Sequence, residues 1–270
     1  MSTKNNAWIL GIGLSSIIAG FSCTSCGSGS EAVTAFQTDS ATYAQKDAQA
    51  EIQIYVDAPV GGSEGLRKAI CEYVSETLGG TYKGQAEDID SLVHFYGQSQ
   101  HDDLARQQKE DGVNDMAYFW SYDIKKTADT KLYVSYEAYN ETFLGGAHGS
   151  HTTTGATFRK ADGRRFGWEM MRQTDTEAFR EMIKNGLKDY FNEQGMDVKT
   201  DEQLKDCLTT DYDVNYLPLP QSVPYLSENG VVLTYQPYEI ASYAAGTPRL
   251  TLPFDKARPY LTQTVIDMLP

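Results

Sequence analysis

The spacing of apolar residues changes from every fourth to every second position along the chain, and this constrains the fold most strongly. Over 63–80, apolar residues recur every fourth position, after a serine that can cap a helix and before two glycines that can end it, which predicts a helix. From Asp115 the period becomes two over 116–124 and again over 132–138, with a polar turn between. This pattern predicts an antiparallel strand pair. The chain therefore combines amphipathic helices with half-buried strands.

Further helices and strands are predicted before and after these segments. Folded structure is expected to begin near Ala50 with a strand over 52–56, and a second helix is expected over 88–110 with a break around Gly97. The remaining predicted elements are a helix capped by the pattern at 174–177, a helix over 200–208, and strands over 231–235 and 250–254.

The first 26 residues have the features of an export signal. A lysine precedes a mostly apolar run, and small residues follow before a cysteine, which is typical of a lipoprotein signal peptide over 1–26. Cys26 is the expected acylated residue and Cys23 the alternative; ordinary secretion stays open because neither has a leucine three positions earlier. Residues 27–48 are small and polar without an apolar period, which predicts a disordered tether. We therefore expect an exported protein anchored to a bacterial membrane bilayer, facing the periplasm or the cell surface.

The net charge of the chain argues against two classes of binding partner. A formal net charge of −14 argues against nucleic acid, whose phosphates require a basic surface. The same acidity argues against a polybasic membrane patch. Acidity also keeps a protein soluble, so it does not by itself identify a partner.

Four glycines and two of the four histidines fall within Phe143–Gly155. Glycine this dense predicts a tight, exposed connection between two strands. His148 and His151 are three apart and could share a metal with His94 and His101, but no ligand pattern supports such a site. We therefore expect no metal and no cofactor, and assign His148 to a loop or to a ligand contact.

Catalytic patterns are weak around this stretch. Ser150 lacks the G-x-S-x-G context of a nucleophile elbow, and the paired glycines lack the lysine and helix of a phosphate-binding loop. Glu169 and Glu239 are carboxylates close to aromatic residues. A cell-wall or glycan hydrolase using His148 and a carboxylate is therefore the alternative to a non-enzymatic protein.

Six short motifs carry a resemblance to a known family. They are Phe143–His148, Arg159–Phe166, Glu228–Gly230, Tyr235–Ile240, Ala244–Gly246 and Leu252–Phe254. Together they resemble the envelope family of unknown function that includes the extracellular region of the lysozyme-sensing anti-sigma factor RsiV and the N-terminal part of the peptidoglycan deacetylase PdaC. The resemblance covers about 50–262 and is more specific in its second half.

The resemblance implies an α+β fold with antiparallel sheets, helices packed on one face and two small modules, at 49–157 and 158–265. It also implies an envelope binding role, with a lysozyme-like protein or a glycan such as peptidoglycan as the ligand. Neither the signalling of the receptor nor the deacetylase activity is carried over, because the chain shows no transmembrane helix, sigma-binding segment or deacetylase domain. The expected ligand contacts are Gly145, Gly146, His148, Tyr238 and Glu239. Tyr238 and Glu239 have a second interpretation, in which they fix a turn that supports the sheet.

Two cysteines lie well inside the expected folded body. Cys71 and Cys207 could form a disulfide between the two modules in an oxidising compartment. The alternative is that both are small buried apolar residues.

Overall fold

The computed structural model describes residues 35–113, 115–210 and 212–270, which belong to one compact unit spanning Val33–Pro270. The predicted signal peptide at 1–26, its Cys26, and the first part of the tether lie outside the described residues. Within the described ranges, no helix has both the length and the apolar character needed to cross a bilayer.

The fold is α+β, as expected. A six-stranded sheet has the order β1-β2-β3-β4-β5-β6, and a three-stranded sheet has the order β7-β8-β9. The strands are β1 (Gln37–Lys46), β2 (Ala50–Val60), β3 (Tyr118–Asp129), β4 (Tyr133–Phe143), β5 (Ser150–Arg159), β6 (Arg165–Phe166), β7 (Tyr225–Leu226), β8 (Gly230–Thr234) and β9 (Arg249–Pro253). The helices are α1 (Glu64–Leu78), α2 (Ile89–Glu110), α3 (Glu177–Glu193), α4 (Asp201–Asp206), α5 (Phe254–Ala257) and α6 (Gln263–Ile266).

One strand pair departs from the expected antiparallel sheets. β2 pairs with β3 in parallel, while every other strand pair in the two sheets is antiparallel. The reason is the connection, because α1 and α2 lie between β2 and β3 and return the chain to the end of the sheet where it started. Both helices pack against this sheet.

The first two helices show which local signals were reliable. Ser63 caps α1 by accepting from the Leu66 backbone N–H, and Gly79 ends the helix at a φ of 137°, as predicted. The expected break in α2 at Gly97 was wrong, because the helix continues to Glu110. A Cβ at Gly97 would lie 2.2 Å from the Tyr43 ring, so this glycine lets the helix approach β1 closely.

The expected tether at 27–48 was wrong from Gln37 onward. Residues 37–46 form β1, which pairs along its length with β2 and has only Ala41 fully buried. An edge strand held by backbone hydrogen bonds needs few apolar side chains. Its sequence therefore carries no apolar period, which is why it resembled a linker.

The second half of the chain is built on the smaller sheet. The turn before Gly230 opens β8, and α3 packs against β9. The N-cap of α3 is Thr176, whose side chain accepts from the Phe179 backbone N–H, so the expected cap at Thr174 was two residues too early. A complete capping box instead begins α4, where Thr200 and Gln203 bond reciprocally.

β5 lies between two hydrophobic clusters of the described residues. Its Phe158 ring contacts Tyr73 of α1 at 5.7 Å between centroids, on the face covered by helices. Successive side chains point to opposite faces, and on the other face Thr157 Oγ1 accepts from the Leu226 backbone N–H at 2.7 Å. One strand therefore contacts both halves of the chain. The division into modules at 49–157 and 158–265 stays a prediction, since both clusters belong to one compact unit.

Candidate functional site

The glycine-rich stretch is a strand connection, as predicted. It joins β4 to β5, whose register runs out at Thr142 opposite Ser150. Gly145 and Gly146 have φ angles of 81° and 93°, a region that other residues enter at a cost. A Cβ at Gly149 would lie 2.7 Å from the Thr142 carbonyl oxygen. Glycine is therefore needed here for backbone geometry. The resulting connection places His148 outside the end of the sheet.

His148 is held against two tyrosines from the C-terminal half. Its ring stacks on Tyr243 with 4.1 Å between centroids and 18° between planes. Its Nδ1 lies 2.7 Å from the Gly149 carbonyl oxygen, which can only accept, so Nδ1 carries the proton. Nε2 is then able to accept from the Tyr238 hydroxyl 3.4 Å away.

His151 extends the same group of rings along β5. Its Nε2 lies 2.9 Å from Thr247 Oγ1, and its ring meets Tyr243 edge-on at 5.5 Å and Tyr139 at 5.9 Å. We call the five rings of Tyr139, His148, His151, Tyr238 and Tyr243 the aromatic shelf. Tyr238 is 60% exposed and Tyr139 36% exposed, so the shelf faces solvent.

Tyr238 has an unusual backbone. Its φ is 67°, in the left-handed region that bulky residues seldom occupy. Its ring lies 5.7 Å from that of Tyr243. Strain of this kind persists only where neighbouring contacts impose it.

Glu239 supplies contacts that hold this turn. One carboxylate oxygen accepts from the Gln236 backbone N–H at 2.7 Å, and the other accepts from the Gln221 backbone N–H at 2.6 Å. The Gln236 side chain in turn bonds both the N–H and the carbonyl of Thr153 in β5. Glu239 therefore acts as a support for the turn, which agrees with the second interpretation given to it from the sequence.

The structure brings together only part of the predicted site. Tyr238 contacts His148, whereas Gly145 and Gly146 shape the connection behind it. His94 and His101 lie apart from the shelf on α2; the first meets Tyr43 edge-on, and the second lies 3.2 Å from an Asp47 carboxylate oxygen. Across the described residues, no group of three or more His, Cys, Asp or Glu side chains is placed to hold a metal.

Sequence reasoning missed two members of the shelf. Tyr139 lies opposite Thr153 in the β4–β5 register, so a correct strand pairing would have pointed to it. Tyr243 lies in a short 3₁₀ turn within a run of small residues, and no local pattern marks it as a binding residue. Burial, with the nearby Glu141 as a lesser cause, raises the pKa of Tyr139, which keeps that phenol neutral at physiological pH.

The chemistry available to His148 is limited. Among the residues that the structure describes, no carboxylate comes within ion-pairing distance of its ring. Ser150 starts β5 and is exposed. The shelf therefore offers stacking surfaces, phenol hydroxyls and imidazole nitrogens, which suit recognition.

The suggested disulfide is absent, since Cys71 and Cys207 are both free thiols. Cys71 is buried on α1 beside the six-stranded sheet, and burial raises the pKa of its thiol to about 12. Cys207 follows α4, where its Sγ lies 3.3 Å from the Gln203 carbonyl oxygen. The two thiols therefore lie in different parts of the fold, and the reading as small apolar residues fits Cys71.

The fold and the shelf define an α+β protein with an exposed cluster of aromatic rings. Residues 172–255 match a protein family described as a protein of unknown function, DUF3298. No curated protein matches the chain.

Two solved structures share the fold. A DUF3298 family member from Bacteroides fragilis NCTC 9343 has a TM-score of 0.66 and 19% identity, covering 87% of this chain and 98% of that one. A DUF3298 family protein from Pseudomonas aeruginosa PAO1 has a TM-score of 0.53 and 14% identity, covering 88% and 97%. At these identities the likeness concerns the fold alone.

Proposed function

We propose that this chain is a non-enzymatic, lipid-anchored envelope protein whose aromatic shelf binds a protein partner. The lipoprotein-like N-terminal sequence and the motif resemblance to the RsiV and PdaC envelope family support the location. The shelf supports the binding role. The location is therefore inferred from the sequence, and the binding role is inferred from the exposed aromatic shelf.

The observation that carries the proposal is the presentation of Tyr238. Its ring is 60% exposed while its backbone is held at a φ of 67°. A residue with no binding role would gain by turning this ring inward or by being glycine. Preorganised tyrosines are favoured at protein interfaces, because a rigid amphipathic ring loses little conformational entropy on binding.

The motif resemblance favours a basic protein over a neutral glycan, and the charge of the chain is compatible with such a partner. A net charge of −14 would attract a basic partner and raise its association rate. A lysozyme-like protein has this character and is also the ligand that the motif resemblance implies. A glycan would use the ring faces without gaining from the charge.

The hydrolase alternative has no observation in its favour. His148 bonds a backbone carbonyl and a tyrosine rather than a carboxylate. Both carboxylate oxygens of Glu239 accept backbone N–H groups. A hydrolase would need an acid and a base close to one bond.

The binding experiment uses the full chain, with lysozyme and a soluble chitooligosaccharide as separate probes in calorimetry. Tyr238→Gly removes the ring without adding strain, since glycine accepts a positive φ. Tyr216→Ala is the matched control, because Tyr216 is 68% exposed and contacts Arg180 away from the shelf. We expect Tyr238→Gly to weaken lysozyme binding about 10-fold or more and Tyr216→Ala to leave it unchanged.

Other outcomes reject the protein-binding proposal. Shelf-dependent binding of the chitooligosaccharide alone would make the shelf a glycan site. Absence of binding to either probe, or equal losses in the two variants, would leave the shelf without this role. The anchor is tested separately by mass spectrometry of the exported protein, in which Cys26→Ser should abolish acylation if Cys26 is the lipidated residue.

A further inference from the structure

One end of the six-stranded sheet holds the start of β1. Gln37, the first residue of this strand, lies opposite Val60, the last residue of β2. Because β2 runs parallel to β3, the β3–β4 turn lies at the same end. β4 starts opposite Arg159, the last residue of β5. We call this the entry end of the sheet, and it comprises the start of β1, the β3–β4 turn at 130–132 and the β5–β6 turn at 160–164.

The three parts of the entry end contact one another. The Lys160 backbone N–H donates to the Leu132 carbonyl oxygen at 2.9 Å, which joins the two turns. The ring of Phe36, the residue before β1, has Lys126 Nζ and Lys160 Nζ at 5.5 and 5.6 Å from its centroid. The entry end is therefore one continuous surface, and the chain enters the sheet within it.

Basic side chains are concentrated at the entry end, although the chain as a whole carries a net charge of −14. Lys131 and Arg164 are exposed, and neither forms an ion pair with a carboxylate of the described residues. The two turns and the residues beside them carry five basic side chains and two carboxylates, namely Lys126, Lys131, Arg159, Lys160 and Arg164 against Asp129 and Asp162.

A cleft of about 590 Å³ lies between the two turns and α6. Lys131, Arg159 and Lys160 supply basic groups to its lining, and Asp267 of α6 supplies a carboxylate. Leu132 belongs to the same lining and is 42% exposed. Basic groups beside an exposed apolar side chain suit a phospholipid surface, where phosphates lie next to acyl chains.

The opposite end of the sheet is acidic and carries the aromatic shelf. There the β4–β5 connection approaches Tyr118, the first residue of β3, since a Cβ at Gly145 would lie 3.7 Å from the Tyr118 ring. The Tyr118 hydroxyl donates to Asp111 at 2.8 Å. The segment 102–118, which leads from α2 into β3, contains five carboxylates and two basic residues. The balance of charge therefore changes sign along the sheet.

The chain between the expected acylation site and the entry end is short. Cys26 precedes Phe36 by ten positions, and ten residues of fully extended chain span at most about 35 Å. β2 has 11 residues and is about as long as this, at about 3.3 Å per residue. The opposite end of the sheet could reach the bilayer only with this stretch of chain fully extended along β2. An anchor at Cys26 therefore favours an orientation with the entry end toward the bilayer.

We propose that the entry end lies on an anionic phospholipid surface and that the aromatic shelf is directed away from it. This orientation rests on the lipid anchor of the proposed function. Headgroup phosphates lie against Lys131, Arg164 and the cleft between the turns, and Leu132 enters the headgroup layer. Anionic lipids attract the basic end and repel the acidic end. Charge and anchor thus favour the same orientation, in which the shelf is open to a protein partner.

The test measures the acetylation rates of single lysines in the exported, acylated protein by mass spectrometry. The protein is bound to phosphatidylcholine vesicles with or without phosphatidylglycerol, and a membrane-impermeant reagent is added. Lys131 reports on the entry end, and Lys46, the last residue of β1, reports on the opposite end. Both lysines are exposed. The mass of the N-terminal peptide records acylation in the same sample.

Two variants test the role of charge. Arg164→Glu reverses a basic residue of the entry end. Lys83→Glu is the matched control, because Lys83 is exposed and lies beyond the far end of α1. α1 begins at the entry end, where Ser63 Oγ donates to the Lys160 carbonyl oxygen at 2.9 Å. Circular dichroism checks the folding of both variants.

We expect phosphatidylglycerol to slow the acetylation of Lys131 about 5-fold or more and to leave Lys46 unchanged. Arg164→Glu should return the Lys131 rate to its value in phosphatidylcholine alone, because the reversed charge replaces an attraction by a repulsion. Lys83→Glu should keep the protection of Lys131.

The outcomes separate this orientation from the anchor on which it rests. Acylated protein in which phosphatidylglycerol leaves the Lys131 rate unchanged would overturn the orientation and leave the anchor in place. An N-terminal peptide without an acyl chain would remove both. Protection of Lys46 in place of Lys131, or equal protection of the two, would also overturn the orientation. Protection of Lys131 that persists in folded Arg164→Glu protein would show that headgroup charge does not direct it.

Discussion

Substitution of Gly155 by alanine should destabilise the protein by weakening the packing of the C-terminal half against β5. A Cβ at this position would lie 2.3, 2.4 and 2.5 Å from three atoms of the Tyr225 ring, where an ordinary contact is about 3.5–4 Å. Tyr225 is 1% exposed, and its hydroxyl donates to Glu137. The ring must therefore move by about 1 Å and lose that hydrogen bond. Overpacking and the lost charged hydrogen bond together predict a destabilisation of about 4 kcal/mol.

Urea denaturation followed by tryptophan fluorescence measures this change in the free energy of unfolding. Gly146→Ala is the matched control, since a Cβ there meets nothing within 4 Å and only the φ of 93° opposes it; its cost should be about 1 kcal/mol. The double variant Gly155→Ala/Tyr225→Leu provides space for the new methyl group. It should be about 2 kcal/mol more stable than the sum of the two single changes predicts.

Additivity of the two changes within about 0.5 kcal/mol would refute this reasoning. It would mean that the alanine is accommodated without displacing Tyr225. A cost for Gly155→Ala equal to that for Gly146→Ala would lead to the same conclusion.

Two further predictions concern single carboxylates. Glu239→Gln should lower the free energy of unfolding by about 2 kcal/mol in urea denaturation, because the amide oxygen can accept from only one of the two backbone N–H groups that the carboxylate now satisfies. Glu228→Gln is the exposed control. A loss for Glu239→Gln no larger than that of the control would contradict the turn-supporting role. Asp162 is paired with Arg159, which lowers the pKa of its carboxyl from 3.8 to about 2. The folded pKa is the lower one, so this pair stabilises the protein above pH 3.8, and the effect is lost as the pH falls toward 2. The Asp162 carboxyl is half exposed, so salt weakens its attraction to Arg159. The urea midpoint of Asp162→Asn should change less with pH over this window than that of the wild type. If the two proteins showed the same change with pH, the ion pair would contribute nothing to stability.

Local signals in the sequence were sufficient for much of the first half of the fold. The cap at Ser63, the apolar period of α1 and the stop at Gly79 all correspond to contacts in the structure, because they act within a few residues. The parallel pairing of β2 with β3 was missed, since strand order depends on contacts between segments that are distant in the chain. β1 was missed because its hydrogen bonds come from the backbone, which every sequence possesses.

The candidate site was predicted in part, for a related reason. The glycines around His148 signalled a special backbone, and this signal is local. The stacking of His148 on Tyr243 joins residues 95 positions apart and depends on how the C-terminal half lies against β5. No period or motif contains that information.

β5 joins the aromatic shelf to the core of the six-stranded sheet. A strand buried on both faces does not alternate simply between apolar and polar residues, and the threonine-rich sequence of β5 is of this kind. His151 extends from one face toward the shelf, while Phe158 on the other face packs against Tyr73 of α1. Displacement of Tyr225 by Gly155→Ala should therefore weaken lysozyme binding at the shelf, because the shelf needs the C-terminal half in place against β5. Unchanged lysozyme binding in the folded variant would mean that the shelf does not depend on the packing of Tyr225 against β5.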